Sequence, residues 1–166
     1  LRTIQEKSNP FVLRDLDYKI SNMSQLARDH SLPPVERAEH AMKKLGRISS
    51  SEIVTPSWMA ERMVQSLPKQ KVKQGPPILD IAAKQGEFAS ALYRVYGEKI
   101  KNSVYSLPTS SLAYEFTRKV YALLGMPVGN VIEDYNSYDL IHSEKKDKLM
   151  QILQDIHPTI VIGNPP

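Results

Sequence analysis

The residues of this sequence that are best suited to chemistry lie in two short stretches, each of which follows an apolar run. The first stretch is Asp80-Ile81-Ala82-Ala83-Lys84-Gln85-Gly86-Glu87-Phe88, which places an acid, small residues and one glycine ahead of a helical pattern. Small residues let a ligand approach the backbone, and the free N–H groups at the start of a helix attract anions. One glycine does not make the three-glycine dinucleotide fingerprint. The stretch therefore indicates a ligand loop, with an ordinary strand-to-helix turn as the alternative.

The second stretch is Gly163-Asn164-Pro165-Pro166. Two consecutive prolines donate no backbone hydrogen bonds and hold the chain extended, so the Asn164 carboxamide and the Pro165 carbonyl can project as fixed acceptors. Two acceptors aimed at one point suit the N–H groups of an amino nitrogen. A rigid turn is the alternative interpretation, because Asn-Pro is a common turn dipeptide.

Four short apolar runs are predicted to be the strands that position these stretches. They cover residues 78–81, 104–107, 130–132 and 159–162, and they alternate with segments whose apolar residues recur at helical spacing. Helices are predicted over 88–95, 113–123 and 149–156, with caps at Thr109-Ser110-Ser111 and at Ser143. This alternation is typical of an open parallel α/β sheet with right-handed crossovers, in which ligands bind beyond the carboxyl ends of the strands.

Residues 1–75 are predicted to form a helical amino-terminal extension to a sheet domain at residues 76–166. One helix follows Pro33-Pro34 and ends near Gly46, and a second has Thr55 as its cap and Pro56 at its first position. The extension holds 13 Lys and Arg against 8 Asp and Glu. This excess suits an anionic partner such as nucleic acid, but it is also typical of a solvated helical surface. The lysine-rich stretch at 69–77 predicts an exposed connector between the two parts.

The composition limits the class of protein. With 166 residues, 41% hydrophobic and 24% charged, the sequence is typical of a globular domain. No apolar run approaches the roughly 18 residues that a membrane span needs, so we expect a soluble, cytoplasmic protein with no membrane partner. The sequence has no cysteine, which excludes disulfides and thiolate catalysis within it. Its four histidines lack the spacing of metal ligands, and no metal site is predicted.

The order of three elements resembles the S-adenosylmethionine-dependent adenine-N6 DNA methyltransferases of restriction-modification systems. In that family a Thr-Pro helix segment, an Asp-containing cofactor loop and an Asn-Pro-Pro-aromatic tetrad follow one another. Here Thr55-Pro56, the loop at 79–88 and the stretch at 162–166 hold those places, so the resemblance covers roughly residues 52–166. It implies S-adenosylmethionine as cofactor, DNA as partner, and the first half of a Rossmann-like methyltransferase sheet that stops at its catalytic loop.

The resemblance also implies roles for individual residues. Hydrogen bonds from adenine N6 to the Asn164 side-chain oxygen and the Pro165 carbonyl would favour a pyramidal nitrogen, freeing its lone pair to attack the sulfonium methyl. The base must leave the duplex, and the aromatic residue that normally stacks on it would follow Pro166. We therefore expect this stretch of chain to be inactive alone, with an exposed edge strand that pairs with another chain. The implied cofactor contacts in the first two elements are Thr55, Pro56, Asp80, Ala82, Lys84, Gly86 and Phe88.

Two departures from the family pattern, and one unresolved choice between acids, bear on cofactor binding. Lys84 stands where the family has a small residue, and it would either obstruct the cofactor or pair with its carboxylate. The second strand lacks the usual ribose-binding acid, which leaves the hydroxyls of Ser106 and Thr109. For the adenine end of the cofactor the sequence offers Asp134 or Asp139. Asp139-Leu140 is slightly closer to the family pattern, and either acid could instead cap a turn.

Two other functions remain open from the sequence. A protein-glutamine methyltransferase of the type that modifies release factors also uses an Asn-Pro-Pro-Tyr motif on an amide nitrogen, although the Thr55-Pro56 segment is not expected there. A non-catalytic nucleotide- or DNA-binding module with a degenerate cofactor site would also explain the departures at Lys84 and Ser106.

Overall fold

A parallel sheet forms the centre of the computed structural model, which describes residues 10–45, 54–141 and 144–165. Its strands are β1 (Ile78–Ala83), β2 (Val104–Pro108) and β3 (Ile160–Ile162), arranged in the order β2-β1-β3. Ile78 of β1 lies opposite Val104 on one side and Ile160 on the other. The fold class is therefore α/β with a small open parallel sheet, and three of the four predicted strands are confirmed.

The remaining predicted strand, at 130–132, is wrong. A 3₁₀ turn at Val128–Asn130 ends there, because Pro127 and Gly129 favour a turn, and Asp134 soon follows with a φ of 65°. Val131 makes an isolated parallel bridge to Ser106, and the N–H of Ile132 donates to the Ser106 carbonyl at 2.9 Å. The segment therefore runs beside β2, on the side away from β1, without forming a strand.

The helices of the described residues lie between and before the strands. The sequence patterns that predict helices at 88–95, 113–123 and 149–156 are confirmed, and so is the helix after Pro33-Pro34. Ser110 caps its helix by accepting from the N–H of Ala113 at 3.2 Å, whereas Ser143 lies outside the described residues. The helices are α1 (Pro10–Arg28), α2 (Pro34–Leu45), α3 (Ser57–Gln65), α4 (Lys69–Lys73), α5 (Glu87–Tyr96), α6 (Ser111–Leu124) and α7 (Lys146–Ile156).

Helices cover both faces of the sheet because successive side chains of a strand point to opposite faces. On one face, Ile78 and Val104 belong to a core that also contains residues of α2, α3, α5 and α6. On the other face, Leu79 packs with Leu107 and with Leu149 of α7. None of the helices in the described ranges is long and apolar enough to cross a membrane.

The lysine-rich stretch at 69–77 differs from the exposed connector that its composition predicts. It contains the short helix α4, whose lysines are exposed but whose Val72 is 2% exposed and belongs to the main core. One apolar residue among lysines is enough to anchor such a turn, because the lysines can face water around it.

Residues on both sides of this stretch share that main core, which contains Ala60 and Val64 of α3 as well as Leu92 of α5. At its surface Arg94 of α5 forms ion pairs with Glu39 of α2 and with Glu61 of α3. The helices α2 and α3 therefore pack directly on the helical layer of the sheet.

Gly86, which joins β1 to α5, occupies a position that only glycine fits. Its φ of 77° is left-handed, and a Cβ there would lie 3.0 Å from the Val120 side chain of α6. The glycine thereby lets the loop after β1 pass close against α6.

We predict that Gly86→Ala lowers the free energy of unfolding by about 3 kcal/mol, through left-handed strain and overpacking against Val120. Gly125→Ala is the matched control, because Gly125 is also left-handed but its Cβ would meet only the flexible end of Lys101. The control should lose about 1 kcal/mol. Urea unfolding of both variants measures the difference, and equal losses would contradict the proposed close packing.

Candidate functional site

Three segments that are distant in sequence meet at the carboxyl ends of β1 and β3. They are residues 54–56 ahead of α3, residues 82–87 after β1 and residues 163–165 after β3. Gly163 makes the approach possible, because a Cβ there would lie 3.1 Å from the Ile81 side chain and 3.5 Å from the Ala82 nitrogen. The structure thus brings together the Thr-Pro segment, the Asp-containing loop and the Asn-Pro turn that the sequence analysis singled out.

Asn164 lies at the centre of this meeting point and is held by two bonds. Its side-chain Nδ2 donates to the Thr55 hydroxyl at 3.2 Å, and its backbone carbonyl accepts from the Lys84 ammonium at 3.1 Å. Asn164 and Pro165 are exposed, whereas Pro166 lies outside the described residues. Because the nitrogen end of the carboxamide is bound to Thr55, its oxygen end is directed away from that bond as an acceptor.

Thr55 serves the site rather than the helix that follows it. The prediction that Thr55 caps this helix, with Pro56 at its first position, is wrong: α3 begins at Ser57, and Pro56 is its cap residue, with no side-chain cap bond from the residues described there. The Pro56 carbonyl accepts the first helical bonds from Met59 and Ala60. Thr55 is 2% exposed, and its hydroxyl is turned to Asn164 instead.

Lys84 is buried, although it is a lysine in a loop. It is 2% exposed, and its ammonium faces the Asn164 carbonyl with the carboxyls of Asp80 and Glu87 close enough to attract it. A buried ammonium is stable only when acceptors or opposite charges surround it. Lys84 therefore connects the loop after β1 to the turn after β3.

Glu87 is a site residue that the sequence analysis did not select. It is 4% exposed and accepts from the N–H of Gln85 at 2.9 Å. Burial raises the pKa of its carboxyl, while backbone N–H groups of Glu87 itself, Gln85 and Thr55, together with the Lys84 ammonium, act in the opposite direction. Its place in the first turn of α5 is a known preference of acids, but contact with Thr55 depends on tertiary structure.

Asp80 is a fully buried acid on β1. Its Oδ1 accepts from the N–H of Ala82 at 3.3 Å, whereas its Oδ2 has no hydrogen-bond partner among the described residues. Burial, and then the nearby Glu87 carboxyl, raise the pKa of Asp80 well above its usual value. Burial therefore favours the protonated form of Asp80, and its Oδ2 is the oxygen without a partner among the described residues.

The other predicted cofactor contacts are not all near Asn164. Ala82 and Phe88 are buried, and Phe88 belongs to the main core. The Ser106 hydroxyl is fully buried and shares a 2.9 Å hydrogen bond with the hydroxyl of Tyr121, a residue that the sequence analysis did not select. The N–H of Thr109 donates to the Ala83 carbonyl at 3.0 Å, which places Thr109 beside the end of β1.

The two acids considered for the cofactor's adenine differ in their local contacts. The Asp139 carboxylate accepts from the N–H of Asn136 at 2.9 Å and completes a capping box on the 3₁₀ turn at Ser137–Leu140. Asp134 is exposed, and its backbone carbonyl accepts from Lys145 at 2.7 Å. The local capping role that the sequence left open is thus the observed one for Asp139.

A groove of about 370 Å³ runs beside the site along β3, which lies at an edge of the sheet formed by the described residues. Its walls are largely apolar, and Val161 on β3 is 54% exposed. The residues that line it are Met63, Ser66, Leu67, Ile81, Val161, Ile162 and Gly163. Within the described parts of the chain, no group of three or more His, Asp or Glu residues is arranged to hold a metal ion.

No family model, curated protein or solved structure matches this chain.

The buried acid gives a pH dependence that can be measured. Because the folded-state pKa of Asp80 is raised, its proton is bound more tightly in the folded chain, so its contribution to stability falls as pH rises above the unfolded value. We predict that Asp80→Asn removes this loss, so that the stability of the variant relative to wild type increases between pH 4 and pH 8.

Urea unfolding across that range measures the effect. Asp147→Asn is the control, since Asp147 is an exposed acid in the first turn of α7. A wild-type stability that rises with pH because of Asp80 would show that its carboxyl is ionised and stabilised in the folded chain.

Proposed function

We propose that this chain forms the cofactor and target-amino side of a site that transfers a methyl group from S-adenosylmethionine to N6 of adenine in DNA. The observation that supports it most is the meeting of Thr55, the loop after β1 and Asn164, in the family's order along the chain, at one end of the sheet. In this proposal the small parallel sheet is part of a Rossmann-like methyltransferase sheet.

The target amino group would bind at Asn164 and Pro165. Both residues are exposed, and the carboxamide oxygen of Asn164 is directed away from the Thr55 bond. An amino nitrogen that donates to this oxygen and to the Pro165 carbonyl is held with its lone pair free, and fixed acceptors need no rearrangement during the reaction. Thr55 fixes which end of the carboxamide faces the target.

The residues around Asp80 offer an acceptor to a polar group of the cofactor, and their burial restricts access to the site. The unpaired Asp80 Oδ2 suits a ligand N–H or O–H group, because a buried oxygen without a partner is costly. S-adenosylmethionine, when bound, supplies the electrophilic methyl group. The loop from Ala82 to Glu87 would hold it, and since every residue of that loop is buried, the segments around it must move to admit a ligand.

Of the other predicted cofactor contacts, some are kept in the proposal and others are not. Ser106 and Asp139 already use their side chains within the fold, so we assign neither to the cofactor. We assign Asp134 to the adenine end of the cofactor because it is exposed and closely follows Val131, which pairs with Ser106 of β2. Adenine in DNA is preferred to protein glutamine because the Thr-Pro segment, unexpected in the latter family, contacts Asn164 directly.

Direct binding tests the cofactor part of this proposal. Titration calorimetry of the 166-residue chain with S-adenosylmethionine should show saturable binding, and Asp80→Leu should weaken it about tenfold, through loss of one buried hydrogen bond to the ligand. Asp147→Asn is the control and should bind as wild type does. If a folded wild-type chain shows no saturable binding at millimolar S-adenosylmethionine, the assignment of Asp80 and Gly86 to a cofactor site is wrong.

A further inference from the structure

The bond between Lys84 and Asn164 links the loop after β1 to the turn after β3. The loop from Ala82 to Glu87 follows a strand at the end of the sheet where ligands bind, yet every one of its residues is buried. Asn164, whose backbone carbonyl accepts from Lys84 of this loop, is itself exposed. The Lys84 bond therefore runs from a buried loop to a residue at the surface.

Among the described residues, Thr55 and Lys84 both bond to Asn164, and the two bonds differ in kind. Thr55 binds the Asn164 side chain, so it orients the carboxamide without touching the loop backbone. Lys84 belongs to the loop itself and binds the Asn164 backbone carbonyl at 3.1 Å. The Lys84 bond joins the loop directly to the Asn164 backbone, and it is charge-assisted.

The surroundings of Lys84 show that its ammonium can leave this bond without becoming isolated. Both neighbouring carboxyls, Asp80 and Glu87, attract it from within the loop. A buried cation that keeps opposite charges nearby avoids the penalty of an uncompensated buried charge when one bond is lost. The Asn164 carbonyl, being close to solvent, can accept from water once Lys84 withdraws.

We propose that Lys84 is a clasp that closes the loop after β1 against Asn164 and so regulates the entry of the cofactor. The identity of the ligand rests on the proposed function, whereas the closing of the loop by Lys84 does not depend on it. In the closed form Lys84 binds the Asn164 carbonyl. In the open form the Asn-Pro turn moves away from the loop, and Asn164 keeps its orientation through Thr55.

Closure lowers the apparent affinity for any ligand of the loop, because only the open fraction binds. Lys84→Met keeps most of the side-chain volume and removes the ammonium. We expect this variant to bind S-adenosylhomocysteine about tenfold more tightly than wild type, the change that corresponds to losing one charge-assisted bond from the closed form. The association rate should rise with the affinity.

Lys71→Met is the matched control. Lys71 also donates from its ammonium to a backbone carbonyl next to β3, that of Thr159 at 3.2 Å, but at the opposite end of the strand. The control variant should bind S-adenosylhomocysteine as wild type does. Tighter binding in both variants would show a general effect of removing lysines and would overturn the clasp.

Hydrogen exchange gives a readout that does not depend on any ligand. In Lys84→Met, the backbone N–H groups of residues 82–87 should exchange faster than in wild type and in Lys71→Met, since the Asn-Pro turn moves away from the loop more often. Faster exchange with no ligand binding in any variant would retain the clasp and reject the proposed function. Unchanged exchange, with binding equal to or weaker than wild type, would reject the clasp and leave the proposed function standing.

The wild-type chain provides the test should Lys84→Met fail to fold. A buried, hydrogen-bonded ammonium exchanges slowly, so Lys84 should give a proton–nitrogen signal at low temperature with a through-bond coupling to the Asn164 carbonyl carbon. A Lys84 signal that lacks this coupling, or an ammonium in fast exchange with water, would overturn the proposal.

Discussion

The burial of one lysine ammonium is the constraint on which the rest of the site depends. Lys84 lies out of solvent, and such a charge is tolerated only when acceptors surround it. The Asn164 carbonyl on the turn after β3 accepts from it, and the carboxyls of Asp80 on β1 and Glu87 on α5 attract it. Satisfying this single charge therefore fixes the relative positions of segments that are about eighty residues apart along the chain, as the Lys84 to Asn164 separation shows.

The remaining features of the site follow from how closely these segments approach. Gly163 lets β3 end against β1, and Gly86 lets the loop turn against α6, because neither position has room for a side chain. Thr55 then joins the third segment through the Asn164 carboxamide. The result combines the exposed residues Asn164 and Pro165 with a buried acid, one of whose oxygens has no partner among the described residues.

Much of the fold can be predicted from the sequence because its signals are local. The helix at α6 has a serine cap, a helical apolar pattern and a left-handed glycine at its end, and all three are observed. The segment at 130–132 has apolar residues and pairs with β2 only at an isolated bridge from Val131 to Ser106, so periodicity misleads there. For the site, the sequence predicts which segments take part but not the contacts between them. That Thr55 binds Asn164 rather than capping α3, and that Glu87 takes part at all, depends on contacts between segments distant in sequence.

The central claim is that the three segments form one ligand site, and chemical-shift mapping tests it most directly. Titration of the isotope-labelled wild-type chain with S-adenosylhomocysteine should move the backbone resonances of Thr55, of residues 82–87 and of Asn164 together, with one common dissociation constant. Resonance changes confined to one segment, or located along the apolar groove at Met63 and Val161 instead, would contradict a shared site.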